Sequence, residues 1–327
     1  MSLDRHQQRY HALQKQYDLE AEKLKELRCS YAIEANVSVK FQLRHQIEKT
    51  ETELQELEQQ LEQLERASST QRLYRALLKL GYRQQNRAFR RFVEAHSLGA
   101  FLIHGSQEYG QRWLLNRLIV QHVPSLMNAK EIPIKLSRIG RRSDIAALWR
   151  ELGGKVGLGK ESSKLEIAER VYQWWRTQDV LLIIHNVDCL SEDFLHEIIK
   201  DFWLPLTTKV REVDSQASQL KLFMFLVDYE GCTNTWNLDF AEKFDPNWNP
   251  NKPVKLPKIG KFSGDELTKW LEHEEDELPR QLTDQIDETV QTILNNSDKG
   301  LPQLALVEIC YLSDCNWYKH EEKWLRL

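Results

Sequence analysis

Gly99-Ala-Phe-Leu-Ile-His-Gly-Ser-Gln-Glu-Tyr-Gly-Gln-Arg-Trp113 is the stretch on which the fold turns. An apolar run from Ala100 to Ile103 enters a loop with glycines at 105 and 110. Trp113, Leu114, Leu115, Leu118 and Ile119 then recur at helical spacing. Strand, glycine loop and helix is the setting in which backbone N–H groups cradle a phosphate at a helix N-terminus. Gly105 and Gly110 fill both glycine positions of G-x-x-x-x-G-K-[ST], but Gln111 and Arg112 follow them. Lysine at the first would bring a point charge to the terminal phosphates, and a hydroxyl at the second would hold magnesium. Gln111 is a neutral amide and Arg112 a cation where the metal should sit. The expectation is a loop with the backbone shape and without the chemistry.

Beyond the loop, Glu131 to Ser137 alternates as a strand, while Ser143 to Leu152 and Lys164 to Arg176 have helical spacing. Between those helices, Gly154-Lys-Val-Gly-Leu-Gly159-Lys160-Glu161 misses the same phosphate template by one residue. It follows a helix and not a strand, so its amides are not aimed at a phosphate, and it is expected to be a flexible inter-helix loop. Val180 to Ile184 is continuously apolar, as in a parallel strand buried on both faces. In a nucleotide hydrolase an aspartate leaves this strand to hold magnesium. Here His185 stands at that point, then Asn186, with Asp188 three residues on. A lone histidine there is expected as a core or surface group rather than a ligand.

Ser191 to Trp203 reads as a helix, Leu220 to Val227 as another buried strand, and Val254 to Ile259 as a short last strand after a Trp- and Asn-rich connection. Ser263 or Asp265 caps the next helix, and further helices are expected over Pro279 to Leu294 and Pro302 to Leu312. Strands alternating with helices predict a three-layer α/β core followed by a small helical region.

Upstream, Leu3 to Ile33 contains no Gly or Pro, and Tyr10, Leu13, Tyr17, Leu24, Leu27 and Tyr31 repeat as a heptad seam that Glu20 interrupts. Leu43, Ile47, Thr50, Leu54, Leu57, Leu61 and Leu64 continue the alternation from Val37 to Arg66. Ala35-Asn36-Val37-Ser38 separates the runs, with Asn36 as N-cap, which predicts an antiparallel hairpin. Its narrow apolar stripe makes it marginal alone, so it is either a structural spacer or a partner-docking module. Ala67-Ser68-Ser69-Thr70 reads as a linker. Gln71 to His96 is helical and basic, carrying Arg72, Arg75, Lys79, Arg83, Arg87, Arg90 and Arg91. A solvated face, or a partner for the acidic hairpin, is favoured there over nucleic acid, because no exposed aromatics interleave for base stacking.

The chain has 327 residues, 41% of them hydrophobic and 29% charged, with a net charge of -4, which predicts about two domains of a soluble protein. No apolar run approaches the roughly 20 residues that span a bilayer, and the first residues lack a signal-peptide core, so no membrane association and a cytoplasmic location are expected. Cys29, Cys189, Cys232, Cys310 and Cys315 fit neither a disulfide framework nor a zinc pattern.

Two resemblances follow from these residues. Tyr31-Ala-Ile-Glu34 and Val39-Lys-Phe-Gln-Leu43, with the Glu/Gln/Leu-rich second helix, resemble an effector-associated domain, a small bacterial helical module that recruits partners by like-with-like contacts. Phe101 to Arg117, Leu181-Leu-Ile-Ile-His-Asn-Val-Asp188 and Gly300-Leu301-Pro302 resemble the inactive branch of the STAND NTPases. That resemblance implies a P-loop-NTPase-like core whose catalytic requirements fail at Gln111, Arg112 and His185, while Asn186, Asp188 and Pro302 match.

The implied organisation is a hairpin over 1–67, a basic connecting helix over 71–98, a degenerate α/β core over 99–262 and a helical region over 263–327. The implied function is a non-catalytic adaptor in bacterial conflict or stress signalling, with no catalytic residue, no metal and no required cofactor. Its partner would be a protease-like, TIR or kinase effector bearing a matching helical module and docking on the seam from Tyr10 to Leu61, with self-association as a further outcome. The alternatives are a regulatory switch that binds ATP or ADP without magnesium or hydrolysis, and nucleic-acid binding through the basic helix.

Overall fold

The structure is a computed structural model that describes residues 2–123, 125–126, 129–136, 145–159, 161–213, 220–242 and 248–325. The chain divides into two compact units, Met1–Leu77 with Glu274–Arg280, and Leu78–His273 with Gln281–Leu327.

The first unit is the hairpin of α1 (Ser2–Ile33) and α2 (Val37–Leu77). Asn36 caps α2: its Oδ1 accepts the N–H groups of Ser38 at 2.9 Å and Val39 at 3.4 Å. Leu24, Thr50 and Leu57 are buried, and Tyr10, Leu13, Tyr17, Leu27, Tyr31, Leu43, Ile47, Leu54 and Leu61 are half-buried. The seam therefore lies along the contact between the two helices. Thr50 is tolerated in it because its hydroxyl donates to the Gln46 carbonyl at 2.9 Å. Glu20 pairs with Lys23 at 2.8 Å, and Arg28 reaches across the helices to Glu51 at 2.7 Å. Arg75 holds the 274–280 segment through Glu277 at 3.1 Å.

The linker expected at Ala67 to Thr70 is helical, and α2 runs on to Leu77. No Gly or Pro interrupts 37–77, and Ser and Thr each cost a helix only a few tenths of a kcal/mol, on the order of 0.5. The basic stretch is consequently not one helix. Its first residues finish α2, and α3 (Arg83–Ala95) starts after a break at Gly81 (φ 69°) and Tyr82 (φ 52°). A Cβ on Gly81 would stand 2.2 Å from a Phe262 ring carbon, so both the turn and the packing require glycine. Buried Arg117 and exposed Gln121 hold the break. Arg117 donates to the carbonyls of Leu80 and Gly81, and Gln121 to that of Leu78 at 2.6 Å. Burial lowers the Arg117 pKa to about 10. Arg83, Arg87, Arg90 and Arg91 of α3 are exposed.

The second unit is built on β1 (Leu98–His104), β2 (Lys130–Lys135), β3 (Val180–His185), β4 (Leu222–Asp228) and β5 (Val254–Lys255), all parallel in the order β2-β3-β4-β1-β5. Every residue of β1, β3 and β4 is buried. Strand alternation sends Leu98, Ala100, Leu102, Leu222, Met224 and Leu226 to one face. That face is covered from α5 (Ile145–Lys155), α6 (Lys164–Trp175), α7 (Glu192–Glu197) and α8 (Leu204–Val213), with Trp149, Trp175, Phe202 and Trp203 in the core. Phe101, Phe223 and Phe225 point to the other face, where Phe89 and Phe92 of α3 meet them edge-on or tilted. This is the three-layer parallel-sheet fold expected from the sequence.

Between α7 and α8 the helix widens into a π turn over Ile198–Trp203, with the Leu204 N–H reaching back to Ile199. Pro205 explains it, since proline lacks an N–H and its ring clashes with the carbonyl four residues back in an α-helix. The strand expected to reach Ser137 ends at Lys135, and the expected start of the next helix at Ser143 lies outside the described residues. Gly153 and Gly154 are not loop residues but close α5. Leu158 N–H bonds the Gly153 carbonyl at 2.8 Å and Gly157 N–H the Gly154 carbonyl at 3.1 Å, with Gly157 at φ 73°. This paired capping turns a helix C-terminus toward the segment, the wrong polarity for phosphate; Lys160 lies outside the described residues.

The C-terminal helices are α9 (Gly264–His273), α10 (Arg280–Thr283), α11 (Ile286–Asn296), α12 (Pro302–Leu312) and α13 (Trp317–Trp324). The single helix expected over Pro279 to Leu294 is two, and α13 is an addition. Among the described residues no helix is long and apolar enough to cross a membrane.

Candidate functional site

Parallel strands deliver their C-terminal ends to one edge of the sheet, which is where such folds bind ligands. At that edge β1 releases the loop Gly105 to Gly110 into α4 (Gln111–His122). Gly110 has φ 69°, and a Cβ there would stand 2.4 Å from the Tyr82 hydroxyl, which donates to the Tyr109 carbonyl at 3.2 Å. Burial pushes the Tyr82 phenol up, so it is a permanent donor to the loop. Gly105 is packed against Tyr109, Gln111 and Ile259.

Gln111 is buried and its amide folds back across the loop, donating to the Ser106 carbonyl at 2.9 Å and the Tyr229 carbonyl at 3.4 Å. Arg112 turns toward the C-terminus, donating to the Leu325 carbonyl at 3.1 Å and lying 3.7 Å from Glu321 of α13. Trp113 secures the same helix, edge-on to Trp317 with ring centroids 5.3 Å apart.

His185, at 3% exposure, ends β3 with Nδ1 2.8 Å from the Tyr229 hydroxyl, and its Nε2 has no protein partner among the described residues. Burial, reinforced by Arg112 and Lys135, lowers its pKa to about 4, so the imidazole is neutral. Asn186 turns the chain at φ 61° into a 3-10 turn over Val187–Cys189. Asp188 accepts the Tyr229 N–H at 2.9 Å and thereby fixes how β4 exits. Asp228, fully buried, accepts from Glu230, Gly231 and Thr233. Pro302 opens α12 beside Gly110, and the next residue, Gln303, donates its N–H to the Glu108 carbonyl at 3.0 Å.

Gly110, Gln111, Arg112, His185 and Asn186 thus share one cavity of about 540 Å³. Gly105, Pro302 and Asp188 stand next to residues that line it: Gly105 beside Gln111, Pro302 beside Gly110, and Asp188 on the Tyr229 N–H. The hairpin seam belongs to the other unit. Lys135, Tyr229, Glu230 and Glu321 also line the cavity and were not singled out from the sequence. Lys135, Tyr229 and Glu230 sit at the ends of β2 and β4, where the strand-end rule points; Glu321 carries no such signal.

A magnesium nucleotide does not fit these residues. The metal would meet a guanidinium and an imidazole in place of a hydroxyl and a carboxylate. Phosphates would meet the carboxylates of Glu108, Glu230 and Glu321 beside the cations Arg112 and Lys135. Among the described residues no three His, Cys, Asp or Glu side chains come together as a metal site.

The fold and this site define an NTPase-like α/β domain whose phosphate loop is tied up by its own chain. Consistent with that class, residues 77–227 match the family model of inactive STAND domains. The match runs from the end of α2 to β4. No curated protein matches the chain. Among solved structures, the Aeropyrum pernix ORC2 protein (ADPNP-ADP complexes) is similar at 14% identity and a TM-score of 0.42, covering 75% of this chain and 66% of that one. The A. pernix ORC1 protein in complex with DNA is similar at 15% identity and a TM-score of 0.39, covering 76% and 64%. The chain thus spans just under two thirds of the length of each.

Proposed function

We propose that the protein is a non-catalytic adaptor in bacterial conflict or stress signalling, in which the α/β unit is a scaffold or sensor and the hairpin recruits an effector. The observation that carries the non-catalytic part is the diversion of Gln111 and Arg112 into contacts with Ser106, Tyr229, Leu325 and Glu321. Substitution of the catalytic groups at Gln111, Arg112 and His185 agrees with the family's description as inactive. The body needs neither nucleotide nor metal in this reading.

Support for recruitment lies in the hairpin's own surface. The seam is spent mainly between α1 and α2, while Ile33, Val37 and Phe41 at the turn are 86%, 82% and 74% exposed. The occupant is an effector carrying a matching helical module on a protease-like, TIR or kinase protein. Full-length protein should bind such an effector, and Val37→Asp with Phe41→Asp should weaken binding at least tenfold without changing the helical circular dichroism. Unchanged affinity, or association only between copies of this chain in sedimentation, contradicts the reading.

A second reading is a nucleotide-binding switch that does not hydrolyse. Arg112 and Lys135 facing one cavity beside a helix N-terminus favour it. Metal-independent ATP or ADP binding that Arg112→Ala abolishes would support this reading over the first.

A further inference from the structure

Cys310 and Cys315 take no part in the site above. Cys310 is fully buried near the end of α12, and Cys315 is half-buried one residue before Asn316, the N-cap of α13. Between them the chain reverses tightly. Ser313 N–H bonds the Cys310 carbonyl at 3.0 Å, Asp314 N–H bonds the Tyr311 carbonyl at 3.1 Å, and Asp314 has φ 52°. Cys315 N–H then bonds the Cys310 carbonyl at 2.9 Å, which folds the two residues onto each other. A disulfide needs Cα atoms no more than about 7 Å apart, and the direct backbone bond between these two residues brings them within that reach.

The two sulfurs differ in character. The neighbouring Cys310 side chain holds the Cys315 thiol below its ordinary range, whereas Cys315 and burial push the Cys310 thiol up. The more accessible sulfur is therefore the one that ionises, and its buried neighbour is placed to resolve it.

We propose that Cys310 and Cys315 form a redox-active dithiol that a hydroperoxide converts into an intramolecular disulfide. The Cys315 thiolate attacks the O–O bond of hydrogen peroxide, which gives Cys315–SOH; the released hydroxide takes up the proton lost by Cys315 and leaves as water. The Cys310 sulfur then attacks the sulfenic sulfur. The S–S bond forms as the S–O bond breaks, and the departing hydroxyl takes the Cys310 proton and leaves as a second water. Two thiols supply the two electrons that reduce one peroxide, and a dithiol reductant reverses the change by exchange.

The place of the pair gives the oxidation a consequence. One residue separates Cys315 from α13, which carries Trp317 against Trp113 and Glu321 against Arg112. The disulfide fixes the corner between α12 and α13 and so holds that helix over the loop. The closed ring is short and gains little from loop closure, as suits a bond made and reduced in turn rather than a structural staple.

The test uses the reduced full chain, titrated with hydrogen peroxide, trapped by alkylation and mapped by mass spectrometry. Both cysteines fall in one tryptic peptide, residues 300–319. The expected result is that this peptide loses two hydrogens and both alkylation sites before Cys29, Cys189 or Cys232 reacts, and regains both sites with dithiothreitol. In Cys315→Ser the peptide should keep an alkylatable Cys310 at the same peroxide dose. Cys315 advancing to sulfinic acid while Cys310 stays alkylatable overturns the proposal, as does first reaction at another cysteine. The mapping of the unmodified sequence decides this even if a variant fails to fold.

Discussion

At the scale of single residues, the site is a set of groups whose usual partners have been replaced by the chain itself. His185 is the clearest case. Burial holds its pKa at about 4, against about 6.5 in the unfolded chain. Between those values the unfolded state binds more protons, so stability falls as pH drops through this window and is fully retained above it. The shift corresponds to on the order of 3 kcal/mol across the window. His185→Gln removes this titration. Urea denaturation at pH 7.5 and 4.5 should show the variant losing about 2 to 3 kcal/mol less than the wild type on acidification. Equal losses would mean that the imidazole is not held neutral. Histidines 96, 104, 122 and 320 are also lowered by burial, and they remain in both proteins.

At the scale of elements, the sequence was legible wherever burial is two-sided or glycine is obligatory. The ends of β1 and β3, the glycine loop and the Asn36 cap could all be read because each has a local physical signature. The helical continuation over 67–70 could not. Ala-Ser-Ser-Thr looks like a break, but a helix already propagating pays only a small propensity cost to continue. Helix α13 was missed for the opposite reason: Trp317 and Trp324 are its buried residues, seven apart, and the rest is polar. The real boundary is Gly81. Gly81→Ala combines a left-handed backbone with a Cβ 2.2 Å from Phe262. It should destabilise the protein by about 3 kcal/mol or more in thermal or urea unfolding, and a loss under about 1 kcal/mol would show that the turn readily rearranges.

At the scale of the whole molecule, a parallel-sheet α/β unit that matches the inactive STAND family model over residues 77–227 and a helical hairpin occur on one chain, and each was foreshadowed by a different periodicity. What could not be foreseen was the involvement of the C-terminal helix in the site. Glu321 and the Leu325 carbonyl lie more than 200 residues from Arg112, and no local pattern encodes a pairing over that distance. Those contacts give Arg112 a counter-charge and bring the C-terminal helix to the sheet edge. The central claim is that no magnesium-nucleotide chemistry takes place there. Isothermal titration of the full chain with ATP, with and without magnesium, tests it most directly. The account predicts no magnesium-dependent heat and no phosphate released from the titrated sample; magnesium-dependent binding accompanied by phosphate release would contradict it.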